Sequence, residues 1–182
     1  LEPLFRKSRD LLVTSSNPPF VQFLKNLSST PADQPDTGGL SGRELWELFN
    51  RAGFAGSRLR ELELTPLGLT PMQSLVLKIL HDHGGTTSTR VLEDITLRQH
   101  HSISTLIDRM VKMKLVSRRK KPGGRRYVIT ATARGKALYA SMTTYAIEMT
   151  LGTLPDAQKL DLAGCLDSLL KRAREMLGVV TA

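Results

Sequence analysis

A mainly α fold carrying a small β hairpin is what this sequence predicts, and three observations predict it. The first lies in residues 98–112, where Ile103, Leu106, Ile107 and Met110 fall at i, i+3, i+4 and i+7. That spacing places all four on one stripe of a helix for burial. His101, Thr105, Asp108 and Lys112 take the opposite face, with Ser102 and Arg109 at its edge. The second is a change of period. Leu115-Val116-Ser117-Arg118 begins a short β run, and Tyr127, Ile129 and Ala131 alternate as a second strand does. Between them, Arg118 to Arg126 contains Pro122, Gly123 and Gly124 and is cationic at six of nine positions, which makes a basic turn. The third is the set of long apolar helical seams on either side of this stretch. A polar, cationic helix followed by a basic hairpin is the plan of a winged helix-turn-helix domain, here flanked by N- and C-terminal dimerisation helices.

Taken in order, residues 1–40 read as an N-terminal arm and linker. Phe20, Phe23, Leu24 and Leu27 have helical spacing after Asn17-Pro18-Pro19, and Leu4, Leu11 and Leu12 suggest an earlier short helix. Residues 28–39 lack periodicity and are rich in Ser, Pro, Asp and Gly, as a linker is. Residues 41–68 hold a dimerisation helix. It opens on a Ser41-x-x-Glu44 capping box and carries Leu45, Leu48, Ala52, Ala55, Leu59 and Leu62 at alternating steps of three and four.

Residues 69–131 form the winged domain. Thr70 caps a helix with Pro71 at its first position and Gln73 closing the box, and Met72, Leu75, Val76, Ile79 and Leu80 form its buried stripe. Residues 81–85 stop it. Thr86 to Thr89 supply caps for a short helix with Val91, Leu92 and Ile95, and the polar-faced helix comes next. Residues 132–182 hold the C-terminal dimerisation helices. One opens at Thr132 with Leu138, Met142, Tyr145 and Met149. The next, after Leu154-Pro155, carries Ala163, Leu166, Leu170, Ala173 and Leu177.

A net charge of +9 in 182 residues points to a polyanionic partner. No segment approaches the ~18 continuous apolar residues of a membrane span, and the cations do not concentrate on one amphipathic helix. The opening residues lack the apolar stretch of a signal peptide, and a single cysteine, Cys165, excludes an internal disulfide framework. Both suit a cytoplasmic protein.

Residues 69–80 (LTPMQSLVLKIL), 104–118 (STLIDRMVKMKLVSR), Arg125 and Thr132-x-x-Gly135 together resemble the MarR family of winged-helix transcriptional regulators. The likeness covers about residues 41–178. It departs from the family in the wing, where Gly123 stands in place of the usual Asp while Arg125 keeps the Arg. It departs again before the strand, where Lys114 replaces the usual Gly. The resemblance implies a homodimer that represses or activates nearby promoters, often relieved by a small aromatic or anionic effector bound between the dimer helices and the winged lobe. No effector residue carries over.

The double-stranded DNA partner, a pseudo-palindromic operator, is therefore expected to meet Gln99, His100, His101, Ser102, Ser104 and Thr105, with Arg109, Lys112, Lys120, Lys121, Arg125 and Arg126. His101, Ser102 and Thr105 sit where bases are read; Arg109, Lys112 and Lys120 suit phosphates. Arg125 is expected in the minor groove, with Arg126 facing the other way. The dimerisation residues are Leu45, Leu48, Leu59, Leu138, Met142, Leu166, Leu170 and Leu177.

Other chemistries are poorly served. His81, His83, His100 and His101 lack the companion ligands of a zinc site, so neither metal nor cofactor is expected. Cys165 lies beside an apolar seam with no basic neighbour to lower its pKa, and is expected to be a buried small hydrophobe. No Ser-His-Asp order or phosphate loop suggests an enzyme. A metal- or redox-responsive sensor on the same fold, or a winged-helix protein-interaction module, are the alternatives. A protein-docking helix exposes apolar anchors, whereas this helix exposes polar and cationic groups.

Overall fold

The computed structural model describes residues 39–120 and 127–179. The sequence expectations for the arm, and for Lys121, Arg125 and Arg126 in the wing turn, lie outside the described residues. Residues 40–154 form one compact unit, and residue 39 with 155–179 are the described part of a second.

The first unit opens with helix α1 (Gly42–Leu64), whose capping box is formed as expected: Ser41 Oγ accepts from the Glu44 N–H and Glu44 accepts from the Ser41 N–H. Apart from Leu64 at its end, α1 buries almost nothing within the chain; Leu45, Trp46, Leu48, Phe49, Phe54, Leu59 and Leu62 are all exposed. A 3₁₀ turn (Thr65–Leu67) leads to α2 (Pro71–Asp82), with the expected Thr70/Gln73 box. Its buried face includes Leu77 as well as Val76, Ile79 and Leu80, while Met72 and Leu75 are half-buried.

Thr86–Ser88 is a strand, β1, not only a capping segment as the sequence suggested. Its register places Thr87 opposite Ile129, a long-range pairing that local patterning does not reveal. Ser88 alone caps α3 (Thr89–Thr96) by accepting from the Val91 N–H. Helix α4 (His100–Lys112) comes next, then β2 (Val116–Lys120) and β3 (Tyr127–Ala131). The strands form an antiparallel sheet in the order β1-β3-β2. The core joins Leu64, Leu69 and the α2 stripe to Leu92, Ile103, Ile107, Met110, Leu115, Val116 and Ile129.

Lys114, where the resemblance led us to expect glycine, adopts the left-handed conformation itself at φ 60°. The turn is held by Leu115 N–H donating to the Met110 carbonyl and Lys114 N–H to that of Val111. A side chain in this region carries a steric cost of about 1–2 kcal/mol that glycine avoids. Lys114→Gly is therefore expected to stabilise the chain by roughly 1 kcal/mol, the rest being offset by the freer unfolded chain. The check is the midpoint of urea unfolding, which should rise.

The helix expected from Thr132 onward is broken. Helix α5 (Ala133–Ala140) ends, residues 141–144 are irregular, and a single turn, α6 (Tyr145–Glu148), restarts before a 3₁₀ turn at Leu151–Thr153. The cause is a clasp from α1. Glu63 accepts from the Thr143 hydroxyl and from the Tyr145 and Ala146 N–H groups, and Arg60 donates to the Thr143 carbonyl. Backbone groups freed by the break thus find side-chain partners, which makes the break tolerable. Burial pushes the Glu63 carboxyl up, but Thr143, Arg60 and the Tyr145 N–H together hold it below the usual carboxylate range. Leu138 and Met142, expected on an open seam, instead pack against the core of the winged unit.

In the second unit, α7 (Asp156–Met176) runs without interruption, close to the expected 156–177. Leu160, Leu162, Leu166, Leu169, Leu170 and Leu177 are exposed along it. Cys165 is exposed too, contrary to expectation.

Candidate nucleic-acid interface

The candidate interface is built on α4. Ile103, Ile107 and Met110 are fully buried, and Leu106 is half-buried beside them. Fully burying Ile103, Ile107 and Met110 contributes about 1.5–3 kcal/mol each, which dwarfs the few tenths that separate helix propensities. The stripe therefore fixes the helix's rotation and, with it, what faces outward. His101, Thr105, Asp108, Arg109 and Lys112 are exposed; Ser102 and Ser104 are half-buried at the margin. Gln99, the N-cap, is exposed and makes no side-chain bond to the helix. Arg109 and Lys112 occupy the last turn, where cations complement the helix dipole.

Thr105, Asp108 and the neighbouring His100 have partners that narrow their roles. The Thr105 hydroxyl donates to the His101 carbonyl at 3.0 Å, which leaves its oxygen to act as an acceptor. His100 Nδ1 lies 2.6 Å from Glu93 Oε1 on α3. Asp108, read from sequence as an open polar position, accepts from Arg118 of β2 at 2.7 Å, and the Arg118 guanidinium lies 3.7 Å from the centroid of the Tyr127 ring on β3. Arg118 is thus a strut between helix and hairpin rather than a free cation. The cation–π contact contributes about 0.5–2 kcal/mol to holding it there. Arg119 and Lys120 beyond it on β2 are exposed.

Glu93 and Arg118 escaped the sequence reading as positioning groups. Glu93 precedes His100 by seven residues across a turn, and only the packing of α3 on α4 brings them together. The other histidines have ordinary surroundings. His83 Nδ1 lies 2.8 Å from the Ile79 carbonyl, and the His81 ring lies against that of Tyr139 at 4.7 Å. Among the described residues no group of three His, Cys, Asp or Glu is placed to hold a metal ion.

The hairpin is joined to α5 through the Thr132-x-x-Gly135 motif. Thr132 Oγ1 donates to the Lys114 carbonyl at 2.7 Å and accepts from the Gly135 N–H at 3.0 Å. Gly135 is buried, and a Cβ there would overlap the Leu115 carbonyl oxygen. The motif therefore lets α5 cross the start of β2 at backbone contact distance.

A family model described as the MarR family matches residues 67–126, beginning at the end of the 3₁₀ turn before α2. No curated protein matches the chain. Among solved structures, AbsC, a MarR family transcriptional regulator from Streptomyces coelicolor, is similar at a TM-score of 0.67 and 20% identity, covering 76% of this chain and 99% of its own. The organohalide-sensing regulator RdhR-CbdbA1625 in its ligand-free form gives 0.65 and 18%, covering 82% and 97%; it has also been solved with 2,4-dichlorophenol bound. A cysteine-to-serine mutant of MarR from E. coli, complexed with operator DNA, gives 0.59 and 21%, covering 71% and 92%. At these identities the structures establish the fold. Residues 67–126 match the MarR family, and the chain has the winged-helix fold of MarR-family regulators.

Proposed function

We propose that this chain is a homodimeric transcriptional regulator of the cytoplasm, a repressor that binds a pseudo-palindromic duplex operator and is released by a small aromatic or anionic ligand. One observation carries the proposal: a buried stripe turns a polar and cationic face of α4 outward, beside a basic hairpin braced to it by Arg118 and Asp108. The operator complex of E. coli MarR and the 2,4-dichlorophenol complex of RdhR, both similar in fold, support the DNA and ligand parts. Among the described residues no helix is long and apolar enough to cross a membrane. The exposed leucines of α1 and α7 are the surfaces we assign to the second copy.

His101, Ser102 and Thr105 are assigned to bases, and Arg109, Lys112 and Lys120 to phosphates; Arg125 is assigned to the minor groove from its sequence position. Thr105→Ala should then change sequence preference, by ~1–3 kcal/mol at the base it reads. Lys112→Ala should weaken all duplexes alike and make binding less salt-dependent. Affinities of both variants across an operator library check this. Identical profiles for the two would sink the assignment of roles.

A further inference from the structure

The polar face of α4 begins with a side-chain relay that DNA binding alone does not explain. Glu93, on α3 and 24% exposed, contacts His100 Nδ1, while His100 Nε2 lies 3.5 Å from Ser104 Oγ. A carboxylate only accepts, so the nitrogen beside Glu93 must carry its proton. In the neutral ring Nε2 is then a bare acceptor, served by the Ser104 hydroxyl. Only a second proton makes Nε2 a donor. The ring is 68% exposed, so that donor is available to a ligand.

The remaining charged groups nearby are engaged or point to solvent. Arg90 and Asp94 of α3 pair with each other at 3.4 Å; Arg98 in the connecting turn and His101 beside His100 are exposed. On β2, which also packs on α4, Arg118 is held by Asp108.

We propose that His100, clamped by Glu93, binds a DNA phosphate as imidazolium, so that DNA binding takes up a proton at this residue. The inference rests on the DNA-binding reading above. With Nδ1–H held by Glu93, a neutral ring would turn a lone pair toward a phosphate beside Nε2, whereas the doubly protonated ring presents an N–H donor there. One proton moves from solvent to Nε2 of each protomer on binding and returns on dissociation. The Ser104 hydroxyl, released from Nε2, is free to donate elsewhere. Glu93 is a positioning residue here, since it acts through His100.

The test uses duplexes enriched by the wild-type chain from a random-sequence pool. Affinity is measured at constant ionic strength across the histidine range, about pH 5–8, and proton uptake by calorimetry in two buffers of different ionisation enthalpy. Wild-type affinity should fall as pH rises, by up to about tenfold per pH unit for each proton taken up. His100→Gln should lose that dependence and bind weakly throughout. His100→Lys, a permanent cation, should keep tight binding with no dependence. Glu93→Gln, checked for fold by circular dichroism, should move the pH range over which affinity changes to lower pH, since the carboxylate beside Nδ1 is gone in both free and bound chains. A His100→Gln variant that keeps the wild-type pH dependence overturns this inference and leaves the DNA reading standing. If the folded wild-type chain enriches no duplex, both fall together.

Discussion

Gly135→Ala is expected to destabilise the winged unit by about 3 kcal/mol, a large fraction of what holds a small domain folded. The neighbour that the new Cβ meets is the Leu115 carbonyl, a backbone atom that cannot swing aside as a side chain could. Relief would require α5 to lift from the start of β2. That would loosen the bonds from Thr132 to the Lys114 and Leu115 carbonyls and open the core at Leu115, which is fully buried. Gly164→Ala is the matched control: it lies in α7 with nothing within 4 Å of its Cβ position. There the change should stabilise, by roughly 0.5–1 kcal/mol from helix propensity. Denaturant midpoints should move in opposite directions, and parallel shifts would mean that the close approach at Gly135 is absent.

Leu166→Asp combined with Leu170→Asp is expected to convert the proposed dimer to monomer. Both leucines are exposed within the single chain, at 40% and 44%, so charging them does not open an existing core. If a second copy covers them, burying each contributes about 1.5–3 kcal/mol, and an unpaired carboxylate in their place adds a desolvation penalty. The dimer constant should weaken by at least about a hundredfold, which is roughly 2.7 kcal/mol. Sedimentation at micromolar concentration should show wild-type dimer and variant monomer, both helical by circular dichroism. A variant that sediments as a folded dimer would remove α7 from the interface.

Much of the fold was legible because its determinants are local. The capping boxes at Ser41 and Thr70, the period of Ile103, Ile107 and Met110, and the alternation around Ile129 each need only a few neighbouring residues, and all are present as read. What was missed depends on distant partners. Strand β1 exists because Thr87 meets Ile129, and the helix after Thr132 breaks because Glu63 and Arg60 capture residues some eighty positions away. Leu138 on α5 and Met142 just beyond it have seam spacing, yet both pack against the core. On α4, residue types and the exposed face were legible, but the Glu93–His100 clamp and the Arg118–Asp108 strut were not. Charge patterns show which groups are cationic; only packing shows which are already paired.

The central claim, that the outward face of α4 binds duplex DNA as part of a symmetric pair, is tested most directly by footprinting. The wild-type chain would be set beside the Thr105→Ala/Lys112→Ala double variant on duplexes selected from a random pool. We expect wild-type protection over two inverted half-sites centred about 10 base pairs, one helical turn, or a multiple of it apart. The folded double variant should lose that protection. Equal protection by the double variant, or a single site without inverted symmetry, would contradict it.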